Sequence, residues 1–239
     1  MTRGPVLPAQ QAEVVAGLVK HLEQQVARLD GLCRSLAEAV IGDLQTGRLT
    51  KRTTSSSALF AGVEGATAQP ELPVLGMGFA RALRPGAGGQ ELHWWYGRGP
   101  GRPPQRLLVG ARAGHVSDYE ISRSHWWQQA AQSAGTCFVG PYVDVSGTNE
   151  YVVTASRAVW ADGGLAGVVA VDVRVGSFQS SCQPLLLELP RPASVVNPDG
   201  DVLATNSGEL LGGTLTDPDP GASRFRLPVS GTDWTVVVG

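Results

Sequence analysis

The sequence predicts an α+β fold: a long N-terminal helix followed by two antiparallel-sheet modules, the second one reduced. Three observations carry this. Apolar residues recur at helical spacing across residues 10–46. From residue 75 the pattern turns to short alternating runs bounded by Asp-Gly and Ser-Gly turns. The order helix-then-sheet then repeats in a shorter form near the C-terminus. Residues 1–57 read as the helix and a linker, 58–176 as the larger module and 177–239 as the smaller one.

In the first segment Leu18, Leu22, Val26, Leu29, Cys33, Leu36, Val40 and Leu44 fall three and four apart and share one face. Glu13, Glu23, Arg28, Arg34 and Glu38 lie mostly off it. At about 1.5 Å per residue the helix is roughly 50 Å long, so it packs along a domain edge or pairs with a copy of itself. Gly42 and Gly47 mark its end, and residues 52–57 read as a loop or an N-cap for a shorter helix. Strands are expected at 75–83, 91–97 and 106–111, with a helix at 125–135. Two apolar strands follow at 151–160 and 165–175, turning at Asp162-Gly163, a strong hairpin signal. Residues 177–189 begin as a helix that Pro184 should kink or restart. Hairpins around Asp199-Gly200 and Ser230-Gly231 complete the smaller module.

Composition removes several function classes. With 239 residues, 42% hydrophobic and 17% charged, the chain is globular. A formal charge of −2 offers no attraction to nucleic acid or an anionic membrane. No apolar run approaches the roughly 18–20 residues of a membrane span, and the N-terminus lacks a signal-peptide core. As written the chain reads as cytoplasmic; as a fragment of a membrane receptor it would be extracytoplasmic. Cys33, Cys137 and Cys182 are too few and too scattered for a disulfide scaffold or a zinc site. No G-x-S-x-G elbow or HExxH motif is present, and His21, His93, His115 and His125 have no metal-ligand spacing. Asn197, Asp199 and Asp201 open like a calcium loop, but Gly208 stands where the bidentate Glu belongs, so turn chemistry is the better reading. No catalytic residue, metal or cofactor is expected.

Residues 118–175 hold, in order, a Tyr followed by an aromatic pair, a helix with Gln-Ala repeats, a GPYVD turn, a VVTAS strand, an Asp-Gly hairpin and a GVVAVDV strand. In this order and spacing they resemble the ligand-binding half of a Cache domain. The resemblance continues through VVNPDGDVLAT to DWTVVV, like the second module of a double Cache domain. It implies two PAS-like modules and a sensor that binds a small molecule, an amino acid or an organic acid, and signals through a partner protein or through its oligomeric state. In Cache domains that bind amino acids, Tyr, Arg and aromatic residues of this segment hold the carboxylate and a later Asp takes the amine. Here Tyr119 matches the Tyr, Trp126 and Trp127 the aromatic pair, and Asp172 the Asp. The expected Arg falls on Ser124, while Arg123 stands one residue early. Tyr142 and Asp144 lie in the turn that shapes the family's pocket.

The residues themselves are compatible with this role. A small zwitterion leaving water needs both of its charges matched. Arg123 is a fork-shaped donor for a carboxylate, Asp172 an acceptor for an ammonium group, and Trp126, Trp127 and Tyr142 are aromatic walls. Each also has a plainer reading. The tryptophans serve equally as core packing, Arg123 as a solvated loop residue, and Tyr142 and Asp144 as turn residues. Asp172 has the alternative of an ion pair with Arg157 or Arg174. Alternation lets only some of Trp94, Trp95 and Tyr96 face a pocket. The competing function is a ligand-free interaction or dimerisation module on the same scaffold.

Overall fold

The computed structural model describes residues 7–49, 57–67, 74–82, 91–97, 102–107, 121–145, 148–208 and 225–239. Helix α1 (Ala9–Gln45) carries the expected stripe. Leu18, Leu22, Val26, Leu29, Cys33, Leu36 and Val40 are all buried, and Val15 extends the row. The helix ends at Gly47, whose φ of 65° suits glycine, with its N–H donating to the Leu44 carbonyl. None of the helices among the described residues is long and apolar enough to cross a membrane.

The chain divides into two compact units, Met1–Arg28 with Val175–Gly239, and Leu29–Arg174. Helix α1 contributes to both. In the larger unit helix α2 (Ala58–Thr67) starts on a double cap. Ser57 Oγ accepts from Phe60 N at 3.0 Å, and the Asp43 carboxylate accepts from Ala58 N and Leu59 N at 3.1 and 3.0 Å. Asp43 is only 1% exposed, so these bonds are what makes a buried charge tolerable there.

Beside these helices lies a six-stranded sheet built from β1 (Val74–Arg81), β2 (Leu92–Tyr96), β3 (Gln105–Arg106), β4 (Cys137–Val143), β5 (Tyr151–Ala161) and β6 (Gly164–Arg174). Its spatial order is β3-β2-β1-β6-β5-β4, antiparallel throughout. Strand β3 ends at Arg106, one residue into the run expected at 106–111; Leu107 is already outside it, and 108–111 lie outside the described residues. Asp162 and Gly163 both take positive φ, 52° and 77°, as a two-residue hairpin turn requires.

Alternation divides the sheet's side chains into two faces. The rear face sends Met77, Phe79, Trp95, Ala155, Val159, Val169, Val171 and Val173 against the second half of α1 and against α2. The front face carries Ala80, Trp94, Val168 and Ala170, covered by helix α3 (His125–Gln132). Where β1 ends and β2 begins, Arg81 and His93 both meet Glu91 Oε1, at 3.3 and 2.9 Å. Burial lowers the His93 pKa, so the ring is neutral and donates through Nε2–H to Glu91.

The smaller unit holds helix α4 (Val175–Leu187) and a sheet in the order β8-β7-β10-β9, made of β7 (Ala193–Val196), β8 (Val202–Thr205), β9 (Phe225–Pro228) and β10 (Thr235–Val238). The turn between β7 and β8 is closed by Asn197, whose Oδ1 accepts from Asp201 N at 2.8 Å. Asn197 and Asp201 thus serve turn geometry. Helix α4 runs unbroken through Pro184, where the sequence predicted a kink or restart. Pro184 forfeits one backbone donor, and the buried Phe178, Cys182 and Leu186 hold the helix across it.

Candidate functional site

The larger unit's front face gathers the residues of interest in rows set by strand pairing. Gly76 of β1 pairs with Asp172 of β6, which pairs with Thr154 of β5. One row away Gly78, Ala170 and Ser156 align, with Trp94 of β2 opposite Gly78. The residues at the centre of these rows are small, and the Trp94 ring lies over Gly76.

Helix α3 roofs this floor. A three-residue 3-10 turn, Ile121–Arg123, precedes it, and Ser124 adopts an extended conformation as its first cap. The expected run to Gly135 stops at Gln132, because Ser133 is already extended and its Oγ accepts from Gly135 N at 3.0 Å. Consecutive helical residues point about 100° apart, yet Trp126 and Trp127 are both buried, with ring centroids 6.2 Å apart and edge-on at 69°. The Trp126 carbonyl accepts from Ser156 Oγ at 2.9 Å, which ties the roof to the floor.

At the row's end Tyr142, Thr154 and Asp172 form a chain of hydrogen bonds. Thr154 Oγ1 donates to Asp172 Oδ1 at 2.6 Å, and Tyr142 Oη lies 2.6 Å from Thr154 Oγ1. With the threonine proton committed to Asp172, the tyrosine hydroxyl donates to the threonine oxygen. Asp172 is 4% exposed. Burial raises its pKa to about 7; the Thr154 bond opposes this and the negative charge of Asp144 adds to it.

The ion pairs considered for Asp172 do not form. Arg157 lies on the rear face, where its guanidinium is 3.7 Å from Asp30. Arg174 pairs with Glu150 at 3.3 Å. Among the described residues no cation forms a salt bridge with Asp172.

The remaining sequence candidates are placed as follows. Asp144 closes the loop after β4, its Oδ2 accepting from Thr148 N at 2.8 Å and Thr148 Oγ1 at 3.2 Å. Arg123 is exposed on the 3-10 turn, and Ser124 turns its hydroxyl back onto the Ile121 carbonyl at 2.7 Å. Tyr119 lies outside the described residues. The structure thus brings Trp126, Trp127, Tyr142 and Asp172 to one face and leaves Arg123 at the surface. Sequence reasoning passed over Thr154 and left open which of Trp94, Trp95 and Tyr96 faces the site; the structure sets Trp94 on this face. The signal for Thr154 was a lone hydroxyl within an apolar strand directly across the hairpin from an acid.

Among the described residues no cluster of His, Cys, Asp or Glu is placed to hold a metal ion. Burial raises the Cys33 and Cys182 thiols well above their usual range, which leaves them unreactive.

Comparison with known proteins follows the same outline. Residues 108–180 match the model of the methyl-accepting chemotaxis protein-like, first PDC sensor domain. No curated protein matches the chain. Among solved structures it resembles the sensory domain of the Campylobacter jejuni chemoreceptor Tlp3, with TM-score 0.65 and 16% identity over 96% of this chain and 91% of that one. It also resembles the ligand-binding domain of the Pseudomonas fluorescens chemoreceptor CtaA in complex with L-valine, with TM-score 0.63 and 14% identity over 95% and 93%. The ligand-binding domain of the Pseudomonas aeruginosa amino acid chemoreceptor PctC in complex with GABA gives TM-score 0.60 and 18% identity over 93% and 95%.

Proposed function

We propose that this chain, which carries a Cache-type sensor domain, senses a small amino-acid-like metabolite in its larger unit and passes the signal to a partner protein or through its own oligomeric state. The observation that carries the reading is Asp172. It is a buried carboxylate oriented by Thr154, without a salt-bridge partner among the described residues, on the sheet face that α3 and its two tryptophans cover. Ionising it there is unfavourable until a positive charge arrives, and a ligand ammonium group is that charge. The aromatic rings gathered on the same face favour an organic cation over a hydrated metal ion. Related folds in complex with L-valine and GABA support an amino acid as the carrier of that ammonium group.

The ligand side of this reading is tested by thermal shift. Each L-amino acid is compared at millimolar concentration with the carboxylic acid that lacks its amine. Ligand at a hundred times its Kd stabilises by about 2.7 kcal/mol, which raises the melting temperature by roughly 5–10 °C in a chain of this size. Asp172→Ala should abolish the response to ammonium-bearing compounds. No response to any amino acid, or an equal response to the deaminated analogues, would remove the ammonium role. It would leave the competing reading of a ligand-free docking scaffold.

A further inference from the structure

Trp94 stands on β2 opposite Gly78, but its indole leans along the sheet toward the next row. A Cβ added at Gly76 would lie 2.8 Å from Trp94 Nε1 and 3.1 Å from the Trp95 carbonyl oxygen. The ring therefore fills the space that a side chain at position 76 would take. Gly76 is also the residue paired with Asp172. The indole N–H consequently sits about one strand spacing, roughly 5 Å, from the strand that carries Asp172. Trp94 is 6% exposed, so its ring is almost wholly buried. A buried N–H donor of this kind normally finds an acceptor.

We propose that Trp94 is a specificity-determining residue of the Asp172 site, limiting the ligand to a short side chain and donating its indole N–H to a ligand oxygen. The inference rests on the ligand-binding reading above and adds a size limit and a named donor to it. With the ammonium group at Asp172, the ligand's next polar atom lies toward β1, where the indole edge waits. A carboxylate or hydroxyl oxygen there accepts the N–H. A branched or aromatic ligand side chain on the same path meets the ring. Gly76 is the seat that lets the indole lie down, which is why a larger residue at that position would alter selectivity at second hand.

The test is a titration series with L-alanine, L-serine, L-leucine and L-phenylalanine, read by calorimetry on the wild type, Trp94→Phe and Trp94→Ala. The wild type should prefer L-alanine and L-serine. Trp94→Ala should bring L-leucine or L-phenylalanine to the front of the order, because the vacated space accepts them. Trp94→Phe keeps a ring and loses the donor, so it should retain the preference for small ligands while binding them about tenfold more weakly, as for one lost hydrogen bond. If Trp94→Ala does not fold, Trp94→Phe still decides, since unchanged affinity in that variant overturns the donor role. An unaltered rank order in folded Trp94→Ala, or a wild type that already prefers the large amino acids, overturns the size filter while leaving the Asp172 site intact. A wild type that binds none of the four, and no other amino acid, overturns this proposal together with the reading beneath it.

Discussion

Replacing Asp172 by Asn should make the ligand-free protein more stable, and the gain should grow with pH. The carboxyl titrates at 3.8 in an ordinary setting and at about 7 in the fold. A raised acid pKa means the folded state holds its proton over a window where the unfolded chain has already lost it. Stability therefore falls as pH rises from about 4 to about 7, and the deficit is constant above that. At 1.36 kcal/mol per pH unit the full deficit is about 4 kcal/mol at pH 8, against about 2 kcal/mol at pH 5. Asparagine keeps an oxygen to accept from Thr154 Oγ1 and never ionises. Its amide N–H groups add an offset of about 1–3 kcal/mol if they find no acceptor, but that offset is the same at both pH values. The variant's stability relative to wild type should thus improve by about 2–3 kcal/mol between pH 5 and pH 8. Urea unfolding followed by tryptophan fluorescence measures it, since Trp94, Trp95, Trp126, Trp127 and Trp160 all lie in the larger unit. A relative stability that stays flat across this range would refute the reasoning, because Asp172 would then not be a buried, uncompensated acid.

The other expectations concern the frame around the site. Asp43→Ala removes two caps from α2 at once and should cost about 2–3 kcal/mol in urea unfolding. Gly78→Ala places a Cβ 2.0 Å from the His93 carbonyl oxygen, so the central strands must part. That substitution should cost at least about 3 kcal/mol or prevent folding, seen as lost tryptophan burial in fluorescence. His93 has a lowered pKa, so its contribution is present above 6.5 and is lost as pH falls below that value. In an Asp172→Asn background, which removes the opposing titration, His93→Gln should flatten the decline in stability between pH 6.5 and pH 5, measured by melting temperature.

The helices and most strands were legible in the sequence because their spacing is regular. The α1 stripe from Leu18 to Val40 is buried as the three-and-four pattern requires. Trp94 and Trp95 fall on opposite faces, as alternation demands. The site itself was less legible, and the β5–β6 hairpin shows why. Counting outward from the Asp162-Gly163 turn, Ala161 pairs with Gly164 and Trp160 with Leu165. That register carried down the ladder would set Val153 opposite Asp172. The ladder instead shifts by one between Val159 and Trp160, so Thr154 arrives there. A one-residue slip exchanges the two faces of a strand, and nothing in the local sequence announces it. Arg123 illustrates the same limit. Its type fits a carboxylate clamp, but the 3-10 turn carries it to the surface.

The most direct measurement is a crystal structure of the protein grown with L-alanine. The account predicts the ligand's ammonium nitrogen within hydrogen-bond distance of the Asp172 carboxylate, under Trp126 and Trp127. A ligand seated away from Asp172, or a carboxyl group of the ligand turned toward it, would contradict the account.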